Sequence, residues 1–386
     1  MENGKFDLKA ARAKIDAIDE ELVKLFLERL DVAREVALAK KEMGGPINVP
    51  AREREILTKV SEAAGPANEN AARLFFSTLF SISKARQRNI LKGDAPLVGA
   101  IKASSEAHAH PFPSRTMVAC CGAEGSYAQQ ATCRLVKVPT IAYFNDFEKV
   151  FEAVEKGLCP YGVLPVENSA AGSVAAVYDL MQKHSFHIAR ACRLKIDHVL
   201  LAPQGVKLED VREVASHPHA LAQCKNFFKA HPEIKATSGA NTAFAAKEIS
   251  EPRRRDAAAI ASRACADLYG LEVIAEGIQD AAFNYTRFIC ISKDLEIFPD
   301  ANKISLTLSL PHKAGALATI ISKFASIDVN LTKLESRPIP GMDFEFRFVF
   351  DFEAKPTDAQ VLCLLSELSQ DPEIEHFDFL GAYVEV

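Results

Sequence analysis

The chain has no excess of positive charge. Its 46 Lys and Arg stand against 51 Asp and Glu in 386 residues, for a formal net charge of −5. That balance argues against nucleic acid or an anionic membrane surface as a partner, so any anionic substrate must be caught by local cations. There is no Cys-x-x-Cys, and none of the nine cysteines precedes Cys120. An odd, unpatterned set of this kind fits a reducing cytosol better than a disulfide framework. No apolar run is long enough to cross a bilayer, and Met1–Lys5 lead straight into a charged amphipathic helix, so neither a membrane span nor a signal peptide is expected. The pair His217-x-His219 has no acidic or Cys partner at ligand spacing, so no metal is expected. No long internal repeat is present.

What is present is an ordinary soluble balance, 48% hydrophobic and 25% charged, over enough residues for two or three domains. Residues 6–92 carry helical periodicity and no strand signal. Residues 93–115, with Gly93, Pro96, Gly99, Pro111 and Pro113, read as a linker. Residues 116–293 alternate short apolar runs with helical stretches, the pattern of an α/β domain with parallel strands. Residues 303–386 follow the order strand, helix, strand, strand, helix, strand. There Ile304, Leu306, Leu308 and Leu310 alternate with Ser and Thr. Phe344, Phe346, Phe348, Phe350 and Phe352 alternate with Glu345, Arg347, Val349 and Asp351, so both runs are strands with one buried face.

In the helical region Ile15, Ile18, Leu22, Leu25, Val32 and Val36 mark one apolar stripe. Arg29 falls on that stripe and Lys40 continues it, about 20° away around the axis at roughly 100° per residue. Cations in a core stripe lose their hydration and need anions. Arg12 lies about 25 Å from Arg29 along the helix at roughly 1.5 Å per residue, so it reaches the same pocket only from a partner chain. Arg52-Glu53-Arg54 opens a second helix, and Ser83 and Gln87 stand one turn apart on a third. Two short companions cannot cover so long a stripe, which points to an intertwined dimer. These positions resemble the all-helical chorismate mutase domain. The resemblance implies that Arg12, Arg29, Lys40, Arg52, Glu53, Ser83 and Gln87 hold chorismate and promote its pericyclic rearrangement without a cofactor. Arginines suit bidentate carboxylate capture. Lys40 and Gln87 would donate to the breaking ether oxygen, and Glu53 would hold the ring hydroxyl. Val49 stands where that family often has an acidic residue.

The central region holds four blocks in order. Gly122-Ala123-Glu124-Gly125-Ser126 lies at a strand-to-helix turn, where backbone N–H groups can face an anion. Pro165-Val166-Glu167-Asn168-Ser169 runs from a strand towards a helix, and Asn168 and Ser169 also suit plain capping. Ser216-His217-Pro218-His219-Ala220-Leu221 opens another helix. Asn284-Tyr285-Thr286-Arg287-Phe288 sets an amide, a hydroxyl and a guanidinium at the head of an apolar strand. Together they resemble the signature blocks of prephenate dehydratases. The resemblance implies two α/β lobes, periplasmic-binding-protein-like, with the site in the cleft between them. It makes Thr286 the catalytic residue and sets Ser126, Glu167, Asn168, Ser169, His219, Arg287 and Phe288 around prephenate. A threonine hydroxyl is a poor acid, so Thr286 is expected to stabilise developing charge on the departing ring hydroxyl. His219 stands where relatives often carry glutamine, which would tie activity to pH near neutrality.

The C-terminal order, with Gly315-Ala316-Leu317, Asn330 and Glu335-Ser336-Arg337-Pro338, resembles the ferredoxin-like βαββαβ ACT domain of the same enzymes. That resemblance makes these residues the site for phenylalanine, held between paired domains. Glu335 and Arg337 also read as a solvated ion pair. The expectation is therefore a multidomain chain: an all-α mutase domain (1–92), a linker (93–115), a two-lobed dehydratase (116–293) and an ACT domain (303–386). It would be a cytoplasmic homodimer or larger that converts chorismate through prephenate to phenylpyruvate under phenylalanine control. Two alternatives stay open: a monofunctional dehydratase whose helices only dimerise, and a non-catalytic ligand sensor. Arogenate in place of prephenate is open as well.

Overall fold

Asp7 starts the first helix because its carboxylate accepts the backbone N–H groups of Lys9 and Ala10, two donors that no helical carbonyl can reach. The computed structural model describes residues 7–251, 255–339 and 345–386. The chain divides into two units. One holds the residues up to Gly99 together with Leu362–Ile374, and the other holds Ala100–Val361 with Glu375–Val386. Met1–Lys5 and Phe344, used in the sequence reading, lie outside the described residues.

In the first unit α1 (Leu8–Met43), α2 (Pro50–Ala64) and α3 (Glu69–Lys92) pack together. Only Ala33 and Ala37 of α1 are buried, whereas Ile15, Ile18, Leu22, Leu25, Val32 and Val36 are all exposed. The apolar stripe read from the sequence is thus left uncovered by its own chain. Near the end of α3, Arg88 is buried and pairs with Asp371 at 3.1 Å and Glu367 at 3.9 Å, both in the segment Leu362–Ile374. The expected linker holds a helix instead, α4 (Pro96–Ala107), with Ala95, Val98 and Ile101 buried. Pro96 is tolerated at the first turn, where its missing N–H has no helical partner. The punctuation by Gly and Pro hid a short helix whose Val98, Ile101 and Ser104 form one buried face.

The second unit begins with β1 (Arg115–Cys121), α5 (Tyr127–Leu135), β2 (Val138–Phe144), α6 (Phe147–Glu155), β3 (Tyr161–Asn168), the short β4 (Gly172–Ser173), α7 (Ala175–Leu180) and β5 (His187–Lys195). The chain then crosses to a second lobe of β6 (Val199–Ala202), β7 (Glu213–Ser216), α8 (Pro218–Ala222), α9 (Lys225–Ala230), β8 (Lys235–Ser238), α10 (Thr242–Ser250), β9 (Ala257–Ala261), α11 (Ala264–Tyr269) and β10 (Glu272–Glu276). It returns as β11 (Tyr285–Ser292). The remainder is β12 (Lys303–Ser309), α12 (Ala316–Ala325), β13 (Asn330–Pro338), β14 (Phe346–Glu353) and β15 (His376–Glu385), while α13 (Ala359–Gln370), between β14 and β15, falls mostly in the first unit.

The second lobe is one sheet in the order β10-β6-β9-β7-β8. The other strands form a continuous sheet, β13-β14-β12-β15-β5-β11-β3-β1-β2, with β4 beside β3. Both sheets are mixed rather than wholly parallel. β11 returns from the second lobe and so runs antiparallel to β3 and β5. One face of the first-lobe sheet buries Leu135, Val163 and Phe288 under α5, and the other buries Phe151, Leu164 and Ile289 under α6 and α7. The C-terminal strands join this sheet where β15 meets β5. Gly381 makes that approach possible: its φ is 147°, and a Cβ there would overlap the Ile188 backbone.

Candidate active sites

In the helical unit the expected residues fall into pairs. Arg29 donates to the Ser83 hydroxyl and, at 3.3 Å, to the Leu79 carbonyl. Lys40 donates to the Ile47 carbonyl at 3.0 Å and to Gln87 Oε1 at 3.4 Å. These partners are all neutral. Burial lowers the pKa of both cations, the mark of positive charge held partly out of water without an anion beside it. Ser83 and Gln87 are themselves buried. Glu53 faces Lys84 at 3.2 Å. Arg52 lies on the surface against Glu55 at 2.7 Å, and Arg12 is exposed on the uncovered part of α1. Four of the seven expected residues are therefore gathered by the fold of a single chain into two neutral-partnered cation sites.

The second constellation sits where the two lobes join. β3 and β11 are neighbours and pair Asn168 with Thr286. Asn168 Oδ1 accepts the backbone N–H groups of Ala170 at 3.0 Å and Ala171 at 2.9 Å, a turn closed by the Asn side chain. Its Nδ2 therefore faces the other way, donating to Thr286 Oγ1 at 3.0 Å and Asn284 Oδ1 at 2.7 Å. Ser169 bridges the two strand ends: its backbone N–H donates to the Tyr285 carbonyl, and its hydroxyl accepts from Tyr285 N. Gln223, which the sequence reading passed over, reaches across from the second lobe. It accepts from Asn284 Nδ2 at 3.0 Å and lies 3.4 Å from Asn168 Oδ1. A lone glutamine one turn past a histidine block carries no pattern, so only the fold could expose it.

Other expectations are relocated. Ser126 caps α5, accepting from Gln129 N at 3.3 Å. The glycine turn before it meets the second lobe: Ser262 donates to the Gly125 carbonyl at 2.7 Å, and a Cβ on Gly125 would sit 2.7 Å from Cys265 Sγ. Gly125 is thus a lobe contact. His217 caps α8 and stacks on the exposed His219 with ring centroids 5.4 Å apart. Phe288 is buried in the first-lobe core, so it cannot touch a ligand in the cleft.

Arg287 was expected to hold a substrate carboxylate, and its geometry is otherwise. Successive strand residues point to opposite faces, so next to Thr286 its guanidinium turns away into the C-terminal strands. It donates to Asp351 and to Tyr383 Oη, and its Nε lies 2.8 Å from Glu385. Burial opposes its charge, but Tyr383, Asp351 and Glu385 together hold its pKa well above the ordinary value. Glu167 likewise pairs with Lys333 of β13 at 3.1 Å.

Among the expected effector residues, Glu335 accepts from the Ser173 hydroxyl and pairs with Lys333 at 3.0 Å. Arg337 lies 4.9 Å over the Tyr178 ring and 3.4 Å from Asp179. Both clasp the first lobe and are not left for a ligand or for solvent. Gly315, Asn330, Ser336 and Pro338 are exposed, with Ala316 and Leu317 partly so.

Two family models match the chain. Residues 118–296 match prephenate dehydratase, and residues 11–88 match chorismate mutase type II. The fold and its two sites thus define a helical mutase domain preceding a two-lobed dehydratase. Among curated proteins, the chain is 38% identical over 257 residues to arogenate dehydratase/prephenate dehydratase 2 of Arabidopsis thaliana, covering 64% of this chain and 67% of that one. It is 30% identical over 370 residues to the bifunctional chorismate mutase/prephenate dehydratase of Escherichia coli K12, covering 94% and 93%. Among solved structures, prephenate dehydratase of Arthrobacter aurescens in complex with L-Phe superposes with a TM-score of 0.62 at 31% identity, covering 69% of this chain and 89% of that one. A quorum-quenching acylase, GqqA, superposes with the same score at 29% identity, covering 70% and 98%. The chain belongs to the bifunctional chorismate mutase/prephenate dehydratase family.

Proposed function

We infer that the chain is a bifunctional enzyme that rearranges chorismate to prephenate and then removes water and carbon dioxide from prephenate to give phenylpyruvate. The observation that carries this is the presence of both family models in one chain, with a bifunctional relative covering 94% of it. In the mutase step Arg29 and Lys40 take the carboxylates and ether oxygen of chorismate in place of their neutral partners, and the compact conformer so held rearranges without any bond to the protein. Arg12 completes the pocket from a second copy of the chain. In the dehydratase step Thr286 donates towards the departing ring hydroxyl. The C–O bond breaks, the ring carboxylate leaves as carbon dioxide, and its electron pair completes the aromatic ring. Asn168 and Ser169 hold the strand ends that frame the substrate.

The C-terminal module is an ACT domain whose ligand is phenylalanine, a reading supported by the L-Phe complex of the structural relative. Its site uses Gly315, Ala316, Leu317, Asn330, Ser336 and Pro338 rather than Glu335 and Arg337. A second substrate reading, arogenate, draws on the plant relative. The test is to give the purified protein chorismate and follow its loss and the appearance of phenylpyruvate, with and without phenylalanine, and then to compare kcat/KM for prephenate and arogenate. Phenylpyruvate from chorismate alone is the expected result. Loss of chorismate that stops at prephenate would overturn the dehydratase half, and indifference to phenylalanine would overturn the effector.

A further inference from the structure

His198 lies in the connection from β5 to β6, where the chain crosses between the lobes, is 2% exposed, and belongs to none of the four sequence blocks. Its Nε2 is 3.0 Å from Gln223 Oε1, and its Nδ1 is 3.2 Å from the Tyr127 hydroxyl, whose single proton is shared between Nδ1 and the Asp197 carbonyl 2.6 Å away. The hydrogen-bond directions around it follow from the backbone. Ala170 and Ala171 present N–H groups to one terminal atom of Asn168, so that atom is its oxygen and its nitrogen faces Thr286 and Asn284. The Asn284 atom that receives this N–H is then oxygen, and its nitrogen faces Gln223. The Gln223 atom that accepts from Asn284 is therefore oxygen, and the same oxygen faces His198. An oxygen accepts only from a donor, so His198 Nε2 carries a proton.

Donation thus runs from Asn168 through Asn284 to the Gln223 oxygen, where His198 Nε2–H meets it from the other side. Asn168 also donates to Thr286 Oγ1, which leaves the threonine's own proton without an acceptor among the described residues. That is the arrangement a donor to a leaving hydroxyl requires.

We propose that His198 is a positioning residue of the dehydratase: its Nε2–H holds the Gln223 oxygen and, through it, the Asn284 amide that shares the Asn168 nitrogen with Thr286. The inference rests on the reading of Thr286 as the leaving-group donor. Tyr127 holds the far side of the ring, and burial favours its uncharged form.

The test compares His198→Leu, His198→Gln and Thr286→Ala in the full-length protein. Gln keeps an N–H near the Nε2 position and Leu does not. For His198→Leu the expected result is a fall in dehydratase kcat of about 10- to 100-fold with KM little changed, since misplacing a catalytic group is that costly. His198→Gln should stay within about threefold of the wild type on the same argument. Equal rates in the two His198 variants, with Thr286→Ala inactive, would overturn the relay and leave the site reading standing. An active Thr286→Ala would overturn both. A ring 15N measurement on the wild type stands apart from any folding defect of the variants: Nε2–H at neutral pH supports the relay, and an Nδ1–H tautomer refutes it.

Discussion

Thr286 has one proton to give and one neighbour, Asn168, that already donates to it. This argues for a polar rather than a purely structural residue at the end of β11. Thr286→Ala should lower dehydratase kcat by roughly 10²-fold or more, while Thr286→Ser should keep most of it. Chorismate turnover by the same preparations, the product of a different domain, should be unchanged. In the helical unit the neutral partners of Arg29 make the converse case. Arg29→Ala should cut mutase kcat/KM by roughly 10²- to 10³-fold and spare the dehydratase, and full mutase activity in that variant would favour the dimerisation-only alternative. Residue types and spacing sufficed to nominate Thr286, Asn168, Arg29 and Lys40, because each is a polar group set against an apolar pattern. They could not nominate Gln223 or His198, whose significance lies in contacts made across the lobes.

At the scale of elements, alternation along β11 decides what each signature residue does. Thr286 faces the Asn168 amide, Arg287 the C-terminal strands and Phe288 the core under α5. Phe288→Ala should therefore cost stability, about 3–5 kcal/mol for a fully packed aromatic. It should do so without a selective rise in KM. Denaturant unfolding together with substrate titration of the folded fraction checks it. The same alternation along β13 turns Lys333, Glu335 and Arg337 to the first lobe and leaves Ser336 and Pro338 outside. The period-two pattern was readable in the sequence. Which neighbour each face would meet was not, because that depends on β15 pairing with β5.

For the molecule as a whole, two features set its stability and assembly. The first is the buried cluster of Arg287, Asp351, Glu385, Lys303 and Tyr383. Arg287→Met would leave the buried Asp351 carboxylate without its cation and should cost about 3–5 kcal/mol, seen as a fall in Tm. Burial works against the charge on Glu385, but Arg287, Lys303 and Arg193 pull its pKa below the ordinary 4.5. A depressed carboxyl stabilises the fold above its unfolded value and loses that contribution as pH falls through the folded one. Wild-type Tm should therefore drop on acidification below about pH 4.5. Glu385→Gln should start lower at pH 7 and depend less on acid. The second feature is the exposed stripe on α1, from Ile15 to Val36. We propose that a second copy of the chain covers a stripe that long, and on that reading the protein should sediment as a dimer or larger. On the same proposal Ile18→Glu with Leu22→Glu should shift it to monomer and abolish mutase turnover, because Arg12 would no longer reach a partner's pocket. By itself the sequence determined the helical domain with its apolar stripe, the α/β and βαββαβ orders, and the polar residues on which the chemistry rests. Each of these is a local periodicity or a local break in one. Only the tertiary structure decided that the linker is a helix, that Arg287, Glu335 and Arg337 tie the C-terminal strands to the first lobe, and that His198 and Gln223 stand behind Thr286. Those facts depend on which strands become neighbours, and strand pairing between distant segments leaves no mark in either segment alone.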